Sequence, residues 1–398
     1  MNEMFQRLKT YDFSLLFAPI ALAAFGTIMI YSASMVYGPM VFGVESNHFL
    51  IKQIQWLTVG LGMMILVSAI PYRHWQKLTK AIVLFMLLSL GLLFFFGTET
   101  NNAVSWYNLG FMNFQPAEFV KIGLIIYLSS VYAKKQKYID DFGKAVIPPL
   151  VLTVLILGLI IMQPDIGSAA VIGMIASLII MSSGIKWTHI LLLVVVTFGV
   201  IGIGATQMVT DERLERFSGA YQPFESPDDD GYHLIQSYVA IGTGGLVGEG
   251  IGQGIQKLGY LPEPHTDFIM AVIAEELGFI GVGITVGLLA LIVLRGLYIS
   301  SKCRDAFGAL LALGISSMIG LQAFINLGAM SGILPITGVT LPFVSYGGSS
   351  LVILMIAVGI LNNIARTVKV KEEEEEEEEV VERNVEPMTN RGVRSWQN

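Results

Sequence analysis

The run LPEPHTDFIM at 261–270 sets His265, Thr266 and Asp267 immediately before a long apolar stretch. A carboxylate at the mouth of a membrane helix is partly desolvated. That moves its protonation equilibrium toward neutrality, as a general base requires. The same place suits a helix cap, because Thr266 or Asp267 could accept the first free N–H groups of the helix that follows. The two roles are compatible, and both stand at this point. Two turns deeper, Glu275 and Glu276 are carboxylates inside the apolar run. Such groups are costly in a membrane and belong to a bundle interior or a polar cavity. A proton path, a substrate contact and a hydrogen-bond anchor for a broken helix are open to them. The anchor is favoured, since nothing in the sequence pairs them with a relay.

Glu118 and Lys121 lie at i, i+3 in QPAEFVK, on one helix face near the outer end of a span. They are either a mutually neutralising pair within the bundle or a lysine presented to a phosphate. QPDIGSA (163–169) reads as a turn between two spans, with proline ending one helix and Asp165 capping the next. The stretch GTGGLVGEGIGQG does not fit G-x-G-x-x-G and follows no strand, which excludes a nucleotide loop. ITGVTLPFVSYGGSS (336–350) is rich in glycine and hydroxyls and leads into the last span. Irregular backbone at membrane depth must be buried in protein or line a cavity, so this loop is expected to wall the same outer site. Arg213, Arg216 and Lys257 add outer cations. One acid among cations suits a substrate that is anionic and lipid-borne, with the cations stabilising a phosphate leaving group.

The elements that carry these residues follow from composition. Of 398 residues, 54% are hydrophobic and 14% charged, against roughly 25% charged in soluble domains. An all-α polytopic membrane protein is predicted. A span needs about 20 apolar residues, and ten stretches qualify, with cores near 13–35, 50–70, 81–97, 115–133, 146–163, 167–184, 188–207, 267–295, 306–328 and 348–365. With both termini inside, Arg7, Lys9, Arg73, Lys77, Lys80, Lys134, Lys135, Lys137, Lys144, Lys186, Lys302 and Arg304 all fall on the cytoplasmic side, as the positive-inside rule requires. The first apolar segment is long enough to span and shows no clear cleavage site, so it reads as a retained helix. Residues 208–266 form one long outer loop between the seventh and eighth spans. Its apolar, glycine-rich second half is expected to lie against the membrane face as short helices joined by glycine turns. Beyond Lys371, the run Glu372–Glu379 and the polar residues after it predict a disordered cytoplasmic tail, setting a membrane domain of 1–370 against a tail of 371–398. The net charge of -7 comes from that run, and without it nothing suggests a nucleic-acid partner. A single cysteine, Cys303, and scattered histidines leave no metal cluster visible.

Taken together, NNAVSWYNLGFMNFQPAEFVK, QPDIGSA, RFSGAYQPFESPDDDGYHLIQSYVAIGTGGLVGEGIGQGIQKLGYLPEPHTDF, AEELGFIG and LPITGVTLPFVSYGGSS resemble the SEDS family of bacterial peptidoglycan polymerases. The likeness runs from the first span to the last and leaves only the acidic tail outside. ERFSGAYQPFESP and QKLGYLPEPHTDF are most similar to the cell-division member, with the elongation and sporulation members as alternatives. The resemblance implies an inverting glycosyltransferase that joins disaccharides carried on undecaprenyl diphosphate (lipid II) into glycan strands on the outer face of the cytoplasmic membrane. It implies that Asp267 deprotonates the acceptor hydroxyl, and it marks Trp106, Glu118, Lys121, Arg216, Lys257, His265, Thr266, Ser345 and Gly347 as substrate-binding positions. Many members carry arginine directly before the tryptophan, where this chain has Ser105, so no phosphate contact carries over there.

The resemblance also implies a monofunctional class B penicillin-binding transpeptidase as partner, with other membrane proteins of the division machinery, at the septum. A divalent cation could assist the diphosphate; no other cofactor is implied. A lipid II flippase is the reading from another class. It needs access from both faces, whereas the polar residues here gather outside, and no inverted repeat is evident. A passive scaffold would have no use for the polar cavity.

Overall fold

A computed structural model describes residues 10–100, 103–108, 110, 113–192, 219–225, 227 and 231–391, with side chains to 374 in the last helix. Three helices open the chain: α1 (Phe13–Ser34), α2 (His48–Ala69) and α3 (Arg73–Phe96). A small antiparallel sheet follows, β1 (Thr98–Thr100), β2 (Ala103–Asn108) and β3 (Asn113–Phe114), in the order β1-β2-β3. Then come α4 (Pro116–Lys135), α5 (Ile147–Ile161), α6 (Ile166–Ser182), the short α7 (Tyr232–Gly244), α8 (Ile269–Lys302), α9 (Ala306–Met330) and α10 (Gly348–Arg391).

Local chemistry starts these helices where it should. Asp12, Asp165 and Asp305 cap α1, α6 and α9, accepting from Leu15, Ser168 and Gly308 N–H among others. Pro116 opens α4, where a missing N–H costs nothing. The expected cap at 266–267 is absent: Phe268 occupies the N-cap of α8, and no side chain caps that end. Helix α3 begins at Arg73, earlier than the predicted 81, because its Arg, Lys and Gln residues are good helix formers outside the apolar stretch.

Among the described residues, eight helices are long and apolar enough to cross a membrane, and α6 is a shorter apolar helix. The predicted span at 188–207 lies mostly outside the described residues. Helices α4, α9 and α10 are the most buried, while α2, α3 and α5 expose apolar side chains such as Ile65, Phe95 and Val151 around the rim. That is the arrangement expected when lipid, not water, covers the outer faces. The acidic run differs from expectation. Helix α10 continues through Glu372–Glu379 to Arg391, because each residue added to a formed helix gains a hydrogen bond and glutamate has high helix propensity.

Helix α8 is broken. Gly278 has φ 62 and ψ −161, and the segment after α7 docks on the break. Phe279 and Ile280 N–H donate to the Gly245 and Leu246 carbonyls at 3.0 and 3.3 Å. The Glu275 and Glu276 carbonyls they would have used accept instead from Glu249 and Gly250 N–H, at 3.0 and 2.9 Å. Backbone polar groups freed inside a membrane protein must be satisfied by protein, and here the returning loop satisfies all four. The glycines are needed: a Cβ on Gly244 or Gly248 would strike the Ala274 or Glu276 carbonyl. The loop therefore holds the predicted helix and glycine turns, but it packs into a helix instead of lying on the membrane face.

Candidate active site

The 263–268 loop ends at α8 and faces the 336–347 loop, which runs from α9 to α10. Three consecutive carbonyls of the first loop are held. Tyr346 N–H donates to His265 O at 2.9 Å. Ser345 Oγ donates to Thr266 O at 2.6 Å and accepts from Leu341 N–H at 2.9 Å. Asn326 Nδ2, from buried α9, donates to both Asp267 O and Val339 O at 2.8 Å. Asn326 is a site residue that the sequence reading missed; a buried amide inside an apolar span was the available signal. Gly338 lies beside the acid, with φ 70, and a Cβ there would stand 3.8 Å from Asp267 Oδ2.

With its backbone pinned, the Asp267 side chain is half-buried, and no donor among the described residues meets its carboxylate. Desolvation first, and the charge of Glu263 second, push its pKa up to about 7. Glu263 sits at φ 48, a left-handed conformation that non-glycine residues adopt at a cost, and its carboxylate accepts from Thr266 Oγ1 at 2.8 Å. An acid held near neutrality, with its oxygens open, is equipped to take a proton from a hydroxyl.

The other predicted residues divide. Thr266 and Ser345 join the two loops. The Gly347 carbonyl accepts from Leu351 N–H at 2.9 Å at the start of α10, and Trp56 packs against the next residue, Gly348. His265 is buried among Tyr37, Phe42, Phe49 and Tyr346, with its ring 4.5 Å from that of Phe49. Burial depresses its pKa to about 4, so it is a neutral imidazole that shapes the loop. Trp106 lies in β2, with its carbonyl accepting from Thr98 Oγ1 at 3.0 Å. That sheet is tied to the base of α10 by Ser349 Oγ, which donates to Asn113 O at 2.9 Å. Lys121 pairs with Glu118 at 2.8 Å, both buried, which is the neutralising arrangement of the two considered. Lys257 is also buried and binds Glu276 and Ser32. Arg216 and Arg213 lie outside the described residues. No hydrogen bond among the described residues joins Trp106, Lys121 or Lys257 to Asp267. Glu275 and Glu276 anchor the broken helix, the favoured role: Glu275 accepts from Ile255 and Gln256 N–H at 2.7 and 3.1 Å, and Glu276 from Gly252 N–H at 3.0 Å.

Among the described residues no three His, Cys, Asp or Glu side chains cluster as a metal site.

Known proteins decide the family. The family model described as "Cell cycle protein", which spans FtsW, RodA and SpoVE, matches residues 13–370. The chain belongs to this family. A relative from Bacillus subtilis (strain 168), a probable peptidoglycan glycosyltransferase FtsW, is 48% identical over 98% of this chain and 97% of its own length. Stage V sporulation protein E of the same organism is 36% identical over 89% of this chain and 97% of its own. Among solved structures, a chain of a peptidoglycan synthase complex that coordinates polymerization and crosslinking superposes with TM-score 0.73 at 28% identity, covering 90% of this chain and 98% of that one. The Thermus thermophilus rod-shape-determining protein RodA gives TM-score 0.64 at 28% identity, with 89% and 97% covered. As a member of the FtsW/RodA/SpoVE family, the chain is a multi-pass membrane protein.

Proposed function

We propose that this chain is the division-type peptidoglycan glycosyltransferase of the family, polymerising lipid II into glycan strands on the outer face of the cytoplasmic membrane. The observation that carries the proposal is Asp267: half-buried, free of donors among the described residues, held near pKa 7 and fixed by three pinned carbonyls. Asp267 takes the proton of the acceptor sugar hydroxyl. The oxygen attacks the donor anomeric carbon from the face opposite the lipid diphosphate, which leaves with inversion. One base and a stabilised leaving group suffice for this step, unlike the carboxylate pair of hydrolases. Because Lys121 and Lys257 are engaged in buried ion pairs, Arg216, with Arg213, is the cation proposed for the diphosphate. A divalent cation would share that charge.

The loop charges support ten spans with both termini inside, the outer loop at 208–266, and Asp267 therefore outside. The 48% identical relative named FtsW supports the division role over the elongation one, and the septum as the place. The peptidoglycan synthase complex supports a class B penicillin-binding transpeptidase as partner; the growing glycan strand and other division membrane proteins complete the proposed set. Purified with that transpeptidase, Asp267→Asn is expected to abolish lipid II polymerisation while expression and partner binding persist. Full glycan synthesis by the variant would remove the base assignment. Polymerisation in detergent, where no second compartment exists, separates a polymerase from a flippase.

A further inference from the structure

The loop that carries Asp267 is closed at its root. Lys257 Nζ binds Glu276 Oε1 and lies 2.7 Å from Ser32 Oγ, and Ser32 Oγ donates to both Glu276 oxygens at 2.7 and 2.9 Å. Lys257 is 1% exposed and Glu276 fully buried. Beside them, the Glu275 carboxylate holds Ile255 and Gln256 N–H, so the residues on either side of the root are stapled as well. Between the two ends, one arm is the first helical stretch of α8 and the other is the irregular segment 258–266, with Asp267 midway. A substrate contact is no explanation for a lysine whose donors face a carboxylate and a hydroxyl inside protein.

We infer that Lys257 is a positioning residue for glycosyl transfer: its buried pair with Glu276, completed by Ser32 of α1, clamps the irregular arm against the helical arm and so fixes where the Asp267 carboxylate stands. The clamp uses the break at Gly278, because the loop that satisfies the broken backbone continues directly into Lys257. It also ties the loop to α1 through Ser32, while Tyr37, three residues past the end of that helix, accepts from Glu263 N–H at 3.4 Å and packs on the His265 ring. A misplacement of about 1 Å at a reacting group is enough to cost around a hundredfold in rate. A hinge at the root of a long loop reaches that displacement with small rotations.

The inference rests on Asp267 as the base, and the two can fail separately. The double variant Lys257→Met/Glu276→Gln removes the pair without leaving a buried charge, which distinguishes positioning from neutralisation. Expected are near wild-type thermal stability, faster amide hydrogen exchange across 258–268, KM for lipid II within about twofold, and kcat lower by roughly ten- to a hundredfold. Recovery of kcat together with stability would overturn the clamp, since charge balance alone would then explain the pair. A raised KM with unchanged kcat would overturn it too, by making Lys257 a substrate contact. Should the double variant fail to accumulate, Ser32→Ala decides: it keeps both charges, and wild-type kcat in it sinks the inference, whereas a several-fold loss at unchanged KM sustains it. Asp267→Asn with full activity would remove the base reading while leaving the exchange result to judge the clamp.

Discussion

Asn326→Leu is the perturbation that tests how the base is held. The amide donates twice, to Asp267 O and Val339 O at 2.8 Å, and is 2% exposed. Leucine fills a similar volume but strands both carbonyls, and each unsatisfied buried acceptor costs about 1–3 kcal/mol. Both bonds are only part-buried, so water can reach the orphaned oxygens and the lower end applies. The junction between the 263–268 and 336–347 loops should weaken by about 2–3 kcal/mol. Global unfolding should move less than that, because Tyr346 N–H and Ser345 Oγ still hold the neighbouring carbonyls. The catalytic effect should be larger than the stability effect suggests, because the freed carbonyl belongs to Asp267, the proposed base. A kcat lower by about ten- to a hundredfold with little change in KM is expected. The assay is lipid II polymerisation in detergent with the cognate transpeptidase present, read beside a thermal melt. Asn326→Asp serves as the control, since it keeps the shape and reverses the donor. Wild-type kcat in Asn326→Leu would refute the idea that this amide positions the acid.

Other perturbations follow from the same geometry. Activity should rise with pH and level off above about 7, since the base works ionised and its pKa is pushed to about 7 by burial and by Glu263. Glu263→Gln removes a neighbouring negative charge and should move that rise to lower pH; a profile that stays in place would contradict the coupling. The same shift makes the Asp267 contribution to stability favourable at acid pH and lost as pH climbs through about 7. His265, depressed to about 4, should contribute no titration between pH 5 and 8. Gly278→Ala places a Cβ against Leu246 at a φ of 62 and should lower the melting temperature by an amount equivalent to about 1–3 kcal/mol; a neutral result would mean that the break relaxes. Lys121→Met alone leaves Glu118 buried and unpaired and should cost about 3–5 kcal/mol, while Lys121→Met/Glu118→Gln should recover most of it. A double variant that stays inactive once folded would point back to a substrate role for Lys121.

Much of the frame was legible because its signals are local. Apolar length located α1 to α6 and α8 to α10 among the described residues, and Asp165 announced the cap of α6 by standing one residue after a proline. The i, i+3 spacing of Glu118 and Lys121 was enough to suggest their pair. The sheet at 98–114 escaped because its strands are only 3, 6 and 2 residues long, too short for an alternation to read. Asp267 looked as much like a cap as a base. Its backbone instead turns at Phe268, one residue later, leaving the carboxylate free of the helix N-terminus. Asn326 was missed, and the bond from Ser345 to Thr266 could not be read, because their partners are carbonyls from loops 13 and 79 residues away in sequence.

Lys257 shows why residue type and spacing mislead in this setting. In water, a lysine in a long outer loop is a free cation, and reading it as a phosphate contact is reasonable. Here the loop re-enters the protein, because Gly278 breaks α8 and four backbone groups need partners. Satisfying them carries residues 245–258 inward, and a lysine carried with them must find a carboxylate. Glu276 lies two residues before the break, where its carboxylate meets the lysine, Ser32 and Gly252 N–H together. The intramembrane acid, the broken helix and the buried lysine are therefore one structural decision. Its consequence for the proposed reaction is that Lys257 is not the cation serving the diphosphate, which is why that role is proposed for Arg216 with Arg213.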